Sequence, residues 1–141
     1  MYKTKIQIVE LEKGDYHTLV KGRIAGHQVR IVLDTGASHT CVDMQFVSER
    51  FPELQTQVHD GVTAGIGGDD FEVRVADIPD LKLGRFHVAS YNGVALLDFA
   101  YINSAYQTLG QKPIQMILGN DFFVRHKAVI DYDSKELRFN K

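Results

Sequence analysis

The stretch Val29-Arg30-Ile31-Val32-Leu33-Asp34-Thr35-Gly36-Ala37-Ser38 constrains this chain more than any other. Val29, Ile31 and Leu33 alternate with less apolar neighbours, the signature of a strand with one buried face. That strand runs straight into an acid, a hydroxyl residue and a glycine, followed by small residues. An aspartate closing a buried strand is costly unless it is hydrogen-bonded, so Asp34 is either a turn residue or a chemical group. An isolated Asp-Thr-Gly reads as a turn, because Asp and Gly commonly serve that role.

The other 131 positions have to supply a fold around it. A chain of 141 residues makes one domain, 1–141, with one real core and no room for two lobes. Hydrophobic residues make up 44% and charged residues 24%, ordinary for a globular protein. The formal net charge of −2 gives no electrostatic reason to expect nucleic acid or an anionic membrane as partner. A lone cysteine, Cys41, excludes an intramolecular disulfide framework and a thiolate metal knuckle. No apolar run approaches a membrane span, and Met1-Tyr2-Lys3-Thr4-Lys5 lacks an apolar signal region, so a cytoplasmic location is the default expectation.

Periodicity and turn chemistry predict a mostly β chain with two or three short helices. Lys5–Leu11 is a strand, and 17–24 with 28–33 form a hairpin about Ala25-Gly26-His27. A short strand at 39–42 leads to a helix capped by Asp43, with Met44, Val47 and Phe51 on one face and Pro52 ending it. The polar residues 53–60 read as a surface connection. Residues 62–75 read as a hairpin with a glycine-rich tip, and 86–89 as a further strand. Asp98 caps a helix to Leu109, with Phe99, Ile102, Tyr106 and Leu109 as its buried stripe and Gly110 as its stop. Ile114–Leu118 is a buried strand, Asn120 caps a short helix, and 128–131 pairs with 136–139.

Two further stretches change the weight given to Asp34. One is Ala64-Gly65-Ile66-Gly67-Gly68; the other is Met116-Ile117-Leu118-Gly119-Asn120-Asp121-Phe122-Phe123. An apolar strand ending in Asp-Thr-Gly-Ala, then a Gly-Ile-Gly-Gly tip, then Ile-Leu-Gly before a short helix resembles the retropepsin-like aspartic proteases. The resemblance implies a mainly β, closed barrel or sandwich of the acid-protease half-fold, and an endopeptidase acting on peptide or protein substrates without cofactor or metal. It implies Asp34 as the catalytic carboxylate and Thr35, Gly36 and Ala37 as its loop, with Thr35 locking two such loops together across chains. Gly65, Ile66, Gly67 and Gly68 become the flap over bound peptide, and Ile117, Leu118 and Gly119 the support behind the loop. The extra stretch 91–112 and the hairpin after the last helix are closer to cellular and bacterial members than to the compact viral ones. Ser38 and His39 stand where retroviral members often carry acidic residues.

The chemistry then demands a partner. Peptide hydrolysis without metal or covalent nucleophile needs a base for water and an acid for the carbonyl oxygen. Two carboxylates sharing one proton supply both, since like charges in contact do not both ionise. The chain holds a single Asp-Thr-Gly, so the second aspartate is expected from a two-fold homodimer. Other chemistries fit poorly. The glycines near Ile66 lack the helix and lysine of a phosphate loop, and Ser38 lacks a nucleophile elbow. His39 and Cys41 on one strand face, near Asp34, are too few to make a metal site. The alternative reading is a catalytically silent peptide-binding or dimerisation module of the same fold.

Overall fold

The computed structural model describes residues 1–63 and 72–141. Its backbone is mainly β, with eleven strands and three helices among the described residues. In chain order these are β1 (Tyr2–Lys5), β2 (Gln7–Glu12), β3 (Asp15–Ile24), β4 (His27–Leu33), β5 (Cys41–Asp43), α1 (Met44–Arg50) and β6 (Gln57–Thr63). There follow β7 (Glu72–Leu83), β8 (Phe86–Leu97), α2 (Ala100–Thr108), β9 (Met116–Leu118), α3 (Asn120–Arg125), β10 (Val129–Asp131) and β11 (Glu136–Phe139).

Eight strands form one sheet in the order β2-β3-β4-β9-β5-β8-β7-β6, and a further β3–β7 pairing curls it into a closed barrel. The closure joins Arg23 to Lys82 and Ile24 to Leu81. It depends on Gly22, where a Cβ would lie 2.8 Å from both the Lys82 carbonyl oxygen and Leu83 Cδ2. The β3–β4 hairpin turns through Ala25 (φ 46°) and Gly26 (φ 84°), the left-handed pair that a two-residue hairpin turn prefers. A smaller sheet, β1-β11-β10, brings the two chain ends together.

The period-two alternation of the strands sorts apolar residues onto two sheet faces. Val20, Ile31, Leu33, Val42, Val94, Leu96, Met116 and Leu118 point into the main core, where Phe122, Phe139 and α1's Val47 join them. Their neighbours Leu19, Cys41, Ala95 and Ile117 point the other way and are covered by Phe99, Ile102 and Tyr106 at and within α2. The added helix is thus the lid of a second, smaller core. Burying each large ring in these cores is worth roughly 2–3 kcal/mol.

Several boundaries differ from expectation. The first strand breaks at Ile6, whose N–H makes the last bond to β11, at the Lys135 carbonyl, before Gln7 begins pairing with β3. Gln57 onward is strand, because β6 lies at the sheet edge where polar side chains are tolerated. Leu109, expected in the buried stripe, is 39% exposed, because α2 ends at Thr108 and Gly110 (φ 76°) turns the chain away. Among the described residues, no helix is long and apolar enough to cross a membrane.

Candidate active site

Asp34 follows directly from β4, and the position of β4 is set by β9. The two run parallel, with Ile31, Val32 and Leu33 opposite Met116, Ile117 and Leu118. The pairing extends one residue further, as the Asp34 N–H donates to the Leu118 carbonyl at 3.0 Å. The chain then turns sharply. Ala37 N–H donates to the Asp34 carbonyl at 3.1 Å, and Gly36 N–H donates to Asp34 Oδ1 at 2.9 Å. A Cβ at Gly36 would sit 3.2 Å from that same Oδ1, so a larger residue crowds the carboxylate. Asp34, Thr35 and Gly36 are exposed, with Ala37 half-buried beside them.

The first turn of α3 grips this loop from below. Asn120 N–H donates to the Ala37 carbonyl at 2.8 Å, and Asn120 Nδ2 donates to the Thr35 carbonyl at 2.8 Å. Asn120 was expected to cap its own helix; the helix instead begins after Gly119, and the amide is spent on the Asp34 loop. Gly119 is buried so tightly that a Cβ would meet the Ala37 oxygen and the His39 carbonyl carbon at 2.8 Å. Ile117, Leu118 and Gly119 therefore lie directly behind the Asp34 loop.

A second carboxylate of this region, Asp121, is engaged elsewhere through its Oδ1. Its Oδ1 accepts from the Thr40 hydroxyl at 2.7 Å, from Thr40 N–H at 2.9 Å and from Phe122 N–H at 2.9 Å. The same Thr40 hydroxyl oxygen accepts from Gly119 N–H at 3.1 Å. Thr40 and Asp121 thus bolt the far side of the loop to α3. Sequence reading overlooked both, together with the long-range reach of Asn120. The negative charges are felt nearby. Burial first, then Asp34 and Asp121, push the Cys41 thiol up to about 12. Burial first, then Asp121, push the Tyr91 phenol up to about 12, against the lowering effect of Arg125.

His39 is exposed while Cys41 is buried against the α2 core, so the two do not converge with Asp34 on one centre. Among the described residues, no three His, Cys, Asp or Glu side chains gather as metal ligands. Gly65, Ile66, Gly67 and Gly68 lie outside the described residues; β6 and β7, which flank them, pair antiparallel with Thr63 opposite Glu72. The arrangement thus offers one exposed carboxylate on a rigid, doubly anchored loop.

The family model for Aspartyl protease matches residues 20–122, and the chain belongs to that family. Solved structures agree on the fold. The retroviral protease-like domain of Ddi1 from Leishmania major has a TM-score of 0.58 at 13% identity, with 87% of each chain covered. A retropepsin-like aspartic protease from Rickettsia conorii has a TM-score of 0.54 at 16% identity, covering 99% of this chain and 96% of its own. The EIAV protease, complexed with the inhibitor HBY-793, has a TM-score of 0.50 at 19% identity, covering 76% of this chain and 85% of its own. No curated protein sequence matches the chain. The fold is retropepsin-like.

Proposed function

We propose that the chain is an aspartic endopeptidase whose working form is a homodimer, with Asp34 from each copy facing the other across a two-fold axis. One observation carries this reading. Asp34 stands exposed at the tip of an anchored loop, while Asp121, the carboxylate beneath that loop among the described residues, takes three donors on its Oδ1. A second copy is the economical source of the missing carboxylate. Gly36 N–H holds Asp34 Oδ1, and the residue as a whole stays exposed. In the dimer one carboxylate draws a proton from water while its protonated partner donates to the peptide carbonyl oxygen.

The remaining residues take roles around that pair. Thr35 links the two loops, Gly36 and Ala37 keep them narrow for substrate, and Ile117, Leu118 and Gly119 hold them from behind. The glycine-rich segment Gly65, Ile66, Gly67 and Gly68 closes over a bound peptide or protein substrate, its glycines giving the freedom a lid needs. No cofactor, metal or nucleic acid enters the scheme, and a cytoplasmic location remains the simplest setting.

Sedimentation and peptide hydrolysis over one dilution series test the proposal. Specific activity should fall as the dimer dissociates, and excess Asp34→Asn chains should poison the wild type, since each mixed dimer holds one usable carboxylate. Constant specific activity in a demonstrably monomeric sample would refute the shared site. Dimers that bind peptides but never cleave them would favour the silent binding module.

A further inference from the structure

The outer face of the barrel is divided. Along β3 and β4, Leu19 and Val32 lie opposite one another beneath α2, as part of the smaller core. Two residues on, the same face carries Lys21 opposite Arg30 and then Arg23 opposite Gln28. Beyond the barrel closure Lys82 lies opposite Arg23. With Lys112 from the loop before β9 these cations line one open groove of about 1080 Å³, in which, among the described residues, no Asp, Glu or aromatic residue takes part. None of the five is ion-paired with a described residue. Asp80, the acid nearest Lys82 along β7, is taken by His87 at 2.6 Å.

This concentration of charge opposes the fold. Like charges directly opposite on antiparallel strands are destabilising, and here two such pairs, Lys21–Arg30 and Arg23–Lys82, stand side by side. Gly22 makes the second pair closer still by letting β7 approach β3 without a side chain between them. Arg30 is also held in place: its guanidinium donates to the Lys112 carbonyl and, at 3.4 Å, to Gln111 Oε1. A chain of net charge −2 has acids enough to break up such a cluster.

We propose that this groove is a docking site for an acidic, extended segment of polypeptide. The cations supply charge complementarity, which governs encounter rate and selectivity. Four glutamines, among them Gln28 and Gln111, also line the groove and offer donors and acceptors to peptide groups. The groove is open along its length and not an enclosed pocket. Among the described residues it has none of the aromatic platforms on which single-stranded nucleic acid stacks. The site is separate from the Asp34 loop, so it stands or falls independently of the proteolytic reading; if both hold, it selects substrates with an acidic stretch away from the scissile bond.

Fluorescence anisotropy with a labelled ten-residue Glu/Asp peptide tests this on the Asp34→Asn chain, where cleavage does not interfere. The expected result is saturable binding that weakens with salt and drops roughly tenfold or more in the combined Lys21→Gln, Arg23→Gln, Lys82→Gln variant. A Lys-rich peptide should not bind, and Lys21→Arg should retain affinity. Melting of the triple variant should occur at or above the parent temperature, because two like-charge contacts are relieved. Unchanged peptide affinity in the triple variant overturns the proposal. So does displacement of the peptide by inorganic phosphate, or by an oligodeoxynucleotide of equal charge, at matching concentration. Loss of the dimer in sedimentation of the triple variant would make the face a contact between copies and overturn it as well.

Discussion

Thr40→Val isolates the bolt between the Asp34 loop and α3. Valine matches threonine in shape, so the change removes one hydroxyl and opens no cavity. Two interactions disappear: the donor to Asp121 Oδ1 at 2.7 Å and the acceptor for Gly119 N–H at 3.1 Å. Gly119 is buried, so its N–H is left without a partner, at a cost of about 1–3 kcal/mol. Asp121 keeps the N–H groups of Thr40 and Phe122, so its loss is smaller, about 1 kcal/mol. The sum, roughly 2–4 kcal/mol, is a large part of the 5–15 kcal/mol that holds a typical domain together. At this chain length it corresponds to a fall in Tm of roughly 6–16 °C. Urea unfolding at one fixed protein concentration measures it, with an unchanged m-value confirming that stability alone has shifted. Thr40→Ser keeps the hydroxyl and should cost distinctly less. If Thr40→Val unfolds within about 0.5 kcal/mol of wild type, the bolt contributes nothing and the reasoning fails.

Other consequences are as direct. Gly119→Ala should cost about 1–3 kcal/mol by overpacking against Ala37 and His39 and should lower peptidase activity further by displacing the loop; thermal melts and kcat check the two effects separately. His126 is buried among Phe86, Phe122 and Phe139, and Nδ1 lies 3.0 Å from the Asn140 carbonyl. Burial lowers its folded pKa below the ordinary 6.5, so the unfolded chain takes up the proton first. Its contribution to stability is therefore complete above about pH 6.5 and declines as pH falls below it; urea midpoints at successive pH values, with an NMR titration of the ring, read this. The Cys41 thiol, pushed to about 12 by burial, should resist thiol reagents at pH 8 until the protein unfolds, and rapid labelling of the native form would contradict its placement.

The strands that carry the site were legible because alternation is a local property. Val29, Ile31 and Leu33 announce both the strand and the face it buries, and the turn at Ala25-Gly26 follows from its glycine. Asp43 was read correctly as a cap, its carboxylate accepting from Gln45 N–H. Asn120 was misread for a physical reason. An amide at the start of a helix has the same local signature whether it satisfies its own backbone or reaches a loop 85 residues away. Thr40 and Asp121 were invisible for the same reason, since neither shows its partner in sequence. The basic face is another product of assembly: the β3–β4 hairpin sets Lys21 beside Arg30, the Arg30 guanidinium meets the Lys112 carbonyl, and the β3–β7 closure adds Lys82.

The parallel pairing of β4 with β9 also fixes when Asp34 acquires its surroundings. Thr40 and Asp121 are 81 residues apart, and everything beneath the Asp34 loop comes from beyond Pro113. A ribosome adding 5–20 residues each second therefore spends roughly 4–16 s between making the loop and making the segment that anchors it. Contacts of such long range also form slowly, because the intervening chain must be ordered first. During that interval the nascent chain holds its aspartate on an unsupported turn. Fragments ending before β9 should share this condition permanently. Order of synthesis thus acts as a timer, since the Asp34 loop cannot be braced until β9 and α3 have been made.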